Sequence, residues 1–165
     1  MEDKTKELLS QAIALFQQGE ILEAEHLFKE ILQKTPMNPD ANHNLGLIAV
    51  ANKKYDDAQR FFYKAVNINP NVEQFWLSYV NSLILDGELG QANRVLKNGV
   101  KKGLSRAVAK NLRKRIVMLD PGSVAKSNEL YSNLEKKVIS YLQLGRTGEA
   151  ETLAISMTKK FPTKP

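Results

Sequence analysis

Cysteine is missing from all 165 residues, which excludes disulfides and thiolate metal sites and fits a reducing compartment. No apolar run approaches the roughly 18 consecutive residues that a membrane-spanning helix needs. The opening residues, Met1 to Lys6, are charged and have no apolar core behind them, so no secretory leader is read there. Aspartate and glutamate are absent from Leu89 to Leu119, and so are aromatic residues. That second absence removes the stacking platform on which single-stranded nucleic acid is held. What remains is an ordinary balance of 42% apolar and 25% charged residues, far from the composition of a disordered chain. The expectation is a soluble, cytoplasmic protein.

Self-comparison reveals a period. Ala24, Phe28 and Pro36 recur as Ala58, Phe62 and Pro70, each displaced by 34 residues, and a further step reaches Ala92 with Leu96 in the phenylalanine place. The proline is lost at that step, to Leu104. Five residues before each alanine stands a turn position: Gly19, Lys53 and Gly87. Between the punctuation marks the apolar residues fall on one helical face, as in Ile21, Ala24, Leu27, Phe28, Ile31 and Leu32, and again in Tyr55, Ala58, Phe61, Phe62, Ala65 and Val66. Small residues let two antiparallel helices approach, larger ones fill the groove between them, and proline stops the second helix.

Leu45-Gly46 ahead of the second turn, Trp76 and Tyr79 ahead of the third, and the alanine, phenylalanine and proline that follow resemble the tetratricopeptide repeat, or TPR, at its period of 34. The fold expected is all-α: a right-handed superhelix of antiparallel helix pairs, an α-solenoid of about nine helices. Three repeats are expected at 5–38, 39–72 and 73–104. An extra basic helix follows at 105–119, capped by Ser105, with Ala107, Val108, Leu112, Ile116 and Val117 as its apolar positions. Asp120-Pro121-Gly122-Ser123 reads as a turn inside a loop at 120–127. A fourth TPR-like hairpin is expected at 128–165, because Gly145, Glu149, Ala150, Glu151, Leu153 and Pro162 repeat Gly19, Glu23, Ala24, Glu25, Leu27 and Pro36 at a displacement of 126.

A solenoid needs a neighbour over each apolar edge. Pro162 and Pro165 echo the spacing of Pro36 and Pro39, and Leu153, Ala154, Met157 and Phe161 are expected to lack such a neighbour. The expectation is that the sequence is part of something longer and associates through an uncapped C-terminal repeat.

Two TPR subfamilies can be tested residue by residue. Co-chaperone TPRs clamp a C-terminal carboxylate with Lys, Asn and Arg side chains; here those places hold Leu9, Ile13, Asn44, Gln74 and Ser78. Only Asn44 agrees, and that reading is rejected. Ala41-Asn42-His43-Asn44-Leu45-Gly46, with Phe75-Trp76-Leu77-Ser78-Tyr79, resembles instead the bacterial arrays that precede glycosyl-, sulfo- or methyltransferase domains. That resemblance implies a substrate-docking module of a larger transferase.

The function expected is a protein-interaction scaffold and not an enzyme. In a TPR stack the first helix of each pair lines the concave surface, which assigns a peptide or partner domain to Asp40, His43, Asn44, Leu47, Gln74, Leu77, Ser78 and Asn81. A second surface, made of Lys101, Lys102, Arg106, Lys110, Arg113, Lys114 and Arg115, would suit an acidic partner; nucleic acid is not expected. His26 and His43 stand in different helices with no metal-spaced carboxylates or cysteines around them, so no metal, cofactor or catalytic residue is assigned. Trp76 falls on the packing position of the repeat and is expected in the core.

Overall fold

The computed structural model describes residues 2–161, and among them every regular element is an α-helix. In chain order these are α1 (Glu2–Gln18), α2 (Ile21–Lys34), α3 (Pro39–Ala51), α4 (Tyr55–Ile68), α5 (Glu73–Leu85), α6 (Leu89–Lys101), α7 (Arg106–Leu119), α8 (Pro121–Gln143) and α9 (Thr147–Lys160). None of them is long and apolar enough to cross a membrane. The chain divides into two units, Met1–Ile116 and Val117–Pro165. Pro162 and Pro165 lie outside the described residues.

Each hairpin turns the same way. Gly19, Gly87 and Gly145 take positive φ, and so does Lys53, at 57°. The left-handed conformation ends the first helix and reverses the chain in two or three residues, and only in the second hairpin does a side chain bear its steric cost.

Unit 1 holds its core in two consecutive clusters. Ala12, Ala24, Phe28, Ile31, Ala41, Leu45 and Ile48 join α1, α2 and α3. The second begins at Ala49 and runs through Phe62, Trp76, Leu83 and Leu96 to Ile116 on α7. Close approach is built into particular residues. A Cβ on Gly46 would meet the Phe62 ring at 2.5 Å, and one on Gly99 would meet the Trp76 ring at 3.1 Å. Trp76 is in the core as expected, 1% exposed. Its indole N–H donates to the Pro70 carbonyl at 2.8 Å. One period earlier Asn42 occupies the same place, and its Nδ2 donates to the Pro36 carbonyl at 3.3 Å and the Asn38 carbonyl at 2.8 Å. Either side chain satisfies the carbonyl of the proline that follows the preceding helix.

Two expectations are corrected. Residues 121–127 are not a loop but the first turns of α8. Asp120 caps the helix, its carboxylate accepting from the Gly122 N–H at 3.0 Å, and Pro121 takes the first helical position, where its missing N–H costs nothing. On α7 the buried positions are Ala109, Leu112 and Ile116, while Ala107 and Val117 are exposed. Gly103, at φ 114°, and a buried Leu104 replace the proline connection there, and the Leu104 N–H returns to the Gly99 carbonyl at 2.9 Å.

Unit 2 is thinner. Its described helices α8 and α9 pair with each other, and their buried apolar residues are Ala150, Met157 and Phe161. Tyr131 meets Phe161 edge-on at 5.4 Å, and Arg146 lies over the Tyr141 ring at 4.8 Å.

Candidate functional site

In unit 1 the first helices of successive hairpins are neighbours: α1 touches α3, and α3 touches α5, with no comparable contact between α2 and α4 or between α4 and α6. The side on which α1, α3 and α5 crowd together is therefore the inner side of the curve. Two hydrogen bonds tie that row. His43 Nε2 on α3 lies 2.9 Å from Ser78 Oγ on α5. Arg115 Nη1 on α7 donates to Asn81 Oδ1 on α5 at 2.7 Å.

The second bond sets Arg115 apart from the other six cations. Arg115 stands 34 residues after Asn81, so α7 occupies the place of a first helix and turns Arg115 onto the inner row. Its guanidinium brings a positive charge beside Asn81. Lys101, Lys102, Arg106, Lys110, Arg113 and Lys114 are exposed on the end of α6 and on α7. Among the described residues none of them has a carboxylate within 4 Å; Lys102 reaches the Asn67 amide oxygen at 3.5 Å.

The eight groove residues separate into two groups. Asp40 and Gln74 are exposed, and Asn44, Leu47, Leu77 and Asn81 are partly so. His43 and Ser78, however, are each only 7% exposed and belong to the seam between α3 and α5. The imidazole sits between the Phe75 and Phe62 rings, 4.8 and 5.6 Å away. Burial pushes its pKa down to about 4, so it is neutral near pH 7. A neutral imidazole bonded to one hydroxyl satisfies a polar seam; it is a poor proton acceptor for chemistry. Asn44 donates to the Asp40 carbonyl at 2.8 Å, which leaves its amide oxygen for another donor. At the far end Glu73 accepts the Ser105 N–H at 2.7 Å, and the Ser105 hydroxyl, together with that N–H, holds its carboxyl below the usual range. His26 is exposed on α2.

With this geometry in place the comparisons with known proteins can be read. The family model described as tetratricopeptide repeat matches residues 9–73. Residues 9–73 carry tetratricopeptide repeats. No curated protein is similar enough in sequence to count as a relative. Among solved structures, the TPR2B domain of yeast Sti1 in complex with an Hsp70 peptide superposes with a TM-score of 0.63 at 16% identity, covering 71% of this chain and 98% of that one. The first TPR of Spaghetti, bound to an Hsp90 peptide, gives 0.62 at 21% identity, covering 72% and 95%. The Thermobaculum terrenum O-GlcNAc transferase gives 0.55 at 23% identity; it matches 99% of this TPR chain, which spans only 28% of the transferase. At these identities the likeness concerns the fold.

Proposed function

We propose that this TPR chain is a binding module that holds an extended peptide of a partner protein along the inner row of α3, α5 and α7. The observation that carries the reading is the row itself. Asn44, Gln74 and Asn81 offer side-chain amides beside the partly exposed Leu47 and Leu77, and a fixed guanidinium closes one end through the Arg115–Asn81 bond. Amides answer the backbone groups of a peptide, aliphatics take alternate side chains, and Arg115 favours an acidic residue at its end. Two TPR structures of similar fold hold chaperone peptides, which supports a peptide-binding role. The clamp residues of such sites are absent here, since Leu9 and Ile13 stand where cations would.

The test is selection of a displayed library of random short peptides on the purified chain. Enriched peptides should lose binding to a Gln74→Ala/Asn81→Ala variant, whose positions are outside the core. Undiminished binding to that variant would move the site elsewhere.

The exposed cations of α6 and α7 favour a second reading, an acidic partner on Lys101, Lys102, Arg106, Lys110, Arg113 and Lys114. Binding there would fall steeply with salt, whereas peptide binding in the groove would change little. A docking role ahead of a transferase domain is compatible with either surface and draws its support from the match to the Thermobaculum structure.

A further inference from the structure

One position of the inner row changes character along the chain. Ile13, Leu47, Asn81 and Arg115 follow one another at intervals of 34 residues, on α1, α3, α5 and α7. The line runs from two aliphatic side chains, both partly exposed, through an amide to a guanidinium. An amide oxygen, Asn81 Oδ1, holds Arg115 at 2.7 Å. Among the described residues no carboxylate lies within 4 Å of that arginine. Its place is fixed while its charge is not neutralised, and the bond to Asn81 uses one of five N–H donors. The acidic residues of α3 and α5, Asp40 and Glu73, stand in the first turns of those helices, about two turns from this line. In α7 there is no acidic residue at all.

We propose that the inner row selects a peptide carrying an aliphatic side chain and, about six residues from it, the side-chain carboxylate of Asp or Glu. The selection rests on the reading of this row as a peptide groove and adds to it an order and a spacing. The aliphatic side chain settles against Ile13 and Leu47, and the carboxylate pairs with Arg115. Packed helices stand about 8–10 Å apart, so about 20 Å separates α3 from α7 with α5 between them. An extended chain covers that distance in about six residues. Displaced toward α1, the carboxylate would meet Ile13 and Leu47, which offer no donor, and would lose its hydration without return.

A side chain suits this site better than a chain end. One guanidinium receives one carboxylate through two parallel bonds. Capture of a terminal carboxylate uses a nest of backbone N–H groups instead. Arg115 stands inside α7, where backbone N–H groups are committed to the helix.

The probes are fluorescein-labelled peptides with amidated C-termini, in which a leucine and a glutamate are separated by two, five or nine spacer residues of alternating serine and alanine. Binding to the full chain is followed by fluorescence anisotropy. The peptide with the middle spacer should bind about tenfold more tightly than the other two, and glutamine in place of its glutamate should cost about tenfold. Arg115→Gln should abolish the difference between the glutamate and glutamine peptides. Arg115 is exposed, so that variant keeps the fold. Gln74→Ala, which leaves the line untouched, should weaken both peptides by the same factor. A glutamate–glutamine difference that is missing, or that survives Arg115→Gln, would overturn the proposal, and the groove would stand if Gln74→Ala still weakened both. Affinity indifferent to spacer length would overturn it too. So would a glutamine peptide whose affinity is restored by a free C-terminal carboxylate, because a chain end would then be the group read. Should no peptide of the series bind, the pattern is wrong, and the groove itself stands or falls with the displayed library and the Gln74→Ala/Asn81→Ala variant.

Discussion

The hairpins of α1–α2 and α8–α9 carry the same marks at a displacement of 126: a glycine at the turn, an alanine five residues later, a large residue on the second helix. In unit 1 those marks sit in a sealed core, with Ala12, Phe28 and Ile31 fully buried. In unit 2 the matching residues line a channel, and Ile139, Leu142 and Ile155 are half exposed. The same signature therefore specifies a hairpin in both places, but the burial that stabilises it comes from the next helix along. One hairpin has too little apolar surface to offset the entropy of ordering it.

The largest expected effect tests that difference directly. Trp76→Ala should cost about 3–5 kcal/mol, because it opens a cavity in a closed core and strands the Pro70 carbonyl. Met157→Ala should cost about 1 kcal/mol, since its channel is already open and no sealed cavity forms. Urea denaturation followed by circular dichroism gives both values, and equal costs would show the two units to be packed alike.

A smaller effect belongs to the His43 seam of unit 1. Unfolded His43 takes up a proton near pH 6.5, whereas the folded residue does so only at about 4. Stability from this group is thus complete above pH 6.5 and is lost as the pH falls toward 4. The loss between pH 7 and pH 5 should be roughly 2 kcal/mol, and His43→Gln should remove that share of the pH dependence. Urea midpoints of both proteins at the two pH values check it; parallel behaviour would mean that the imidazole is hydrated.

The smallest effect sharpens the comparison among turns. Lys53 adopts the φ that Gly19, Gly87 and Gly145 adopt in the other hairpins. Lys53→Gly should therefore stabilise unit 1, by about 0.5 kcal/mol. A lowered melting temperature would point to a contact of the lysine stem that outweighs the strain.

Much of the architecture was legible because it is written in residues with few alternatives. A glycine at three of the four hairpin turns, an alanine between close helices and a proline after a helix each serve a steric need that few other residues meet. Asp120-Pro121 was not legible in the same way, since a turn and a capped helix start both suit that pair. His43 and Ser78 were misplaced because polar residues on a first helix look like groove surface; their mutual bond across the seam cannot be read from either helix alone. The bond from Arg115 to Asn81 was hidden among six other cations, although the 34-residue distance between the two held the clue.

Gly99 facing Trp76 has an implication for how such a chain can grow. The two belong to opposite helices of one hairpin, and the absent side chain on one makes room for the large one on the other. The equivalent pair one period earlier is Asn42 with Ala65, and before that Leu8 with Ile31. Trp76 set against Ala65 would crowd its methyl and Asn42 set against Gly99 would leave a void, so single helices of these two repeats cannot be exchanged without cost. Duplication or recombination within this chain would have to move whole hairpins, and the hairpin, more than the helix, is the unit of inheritance.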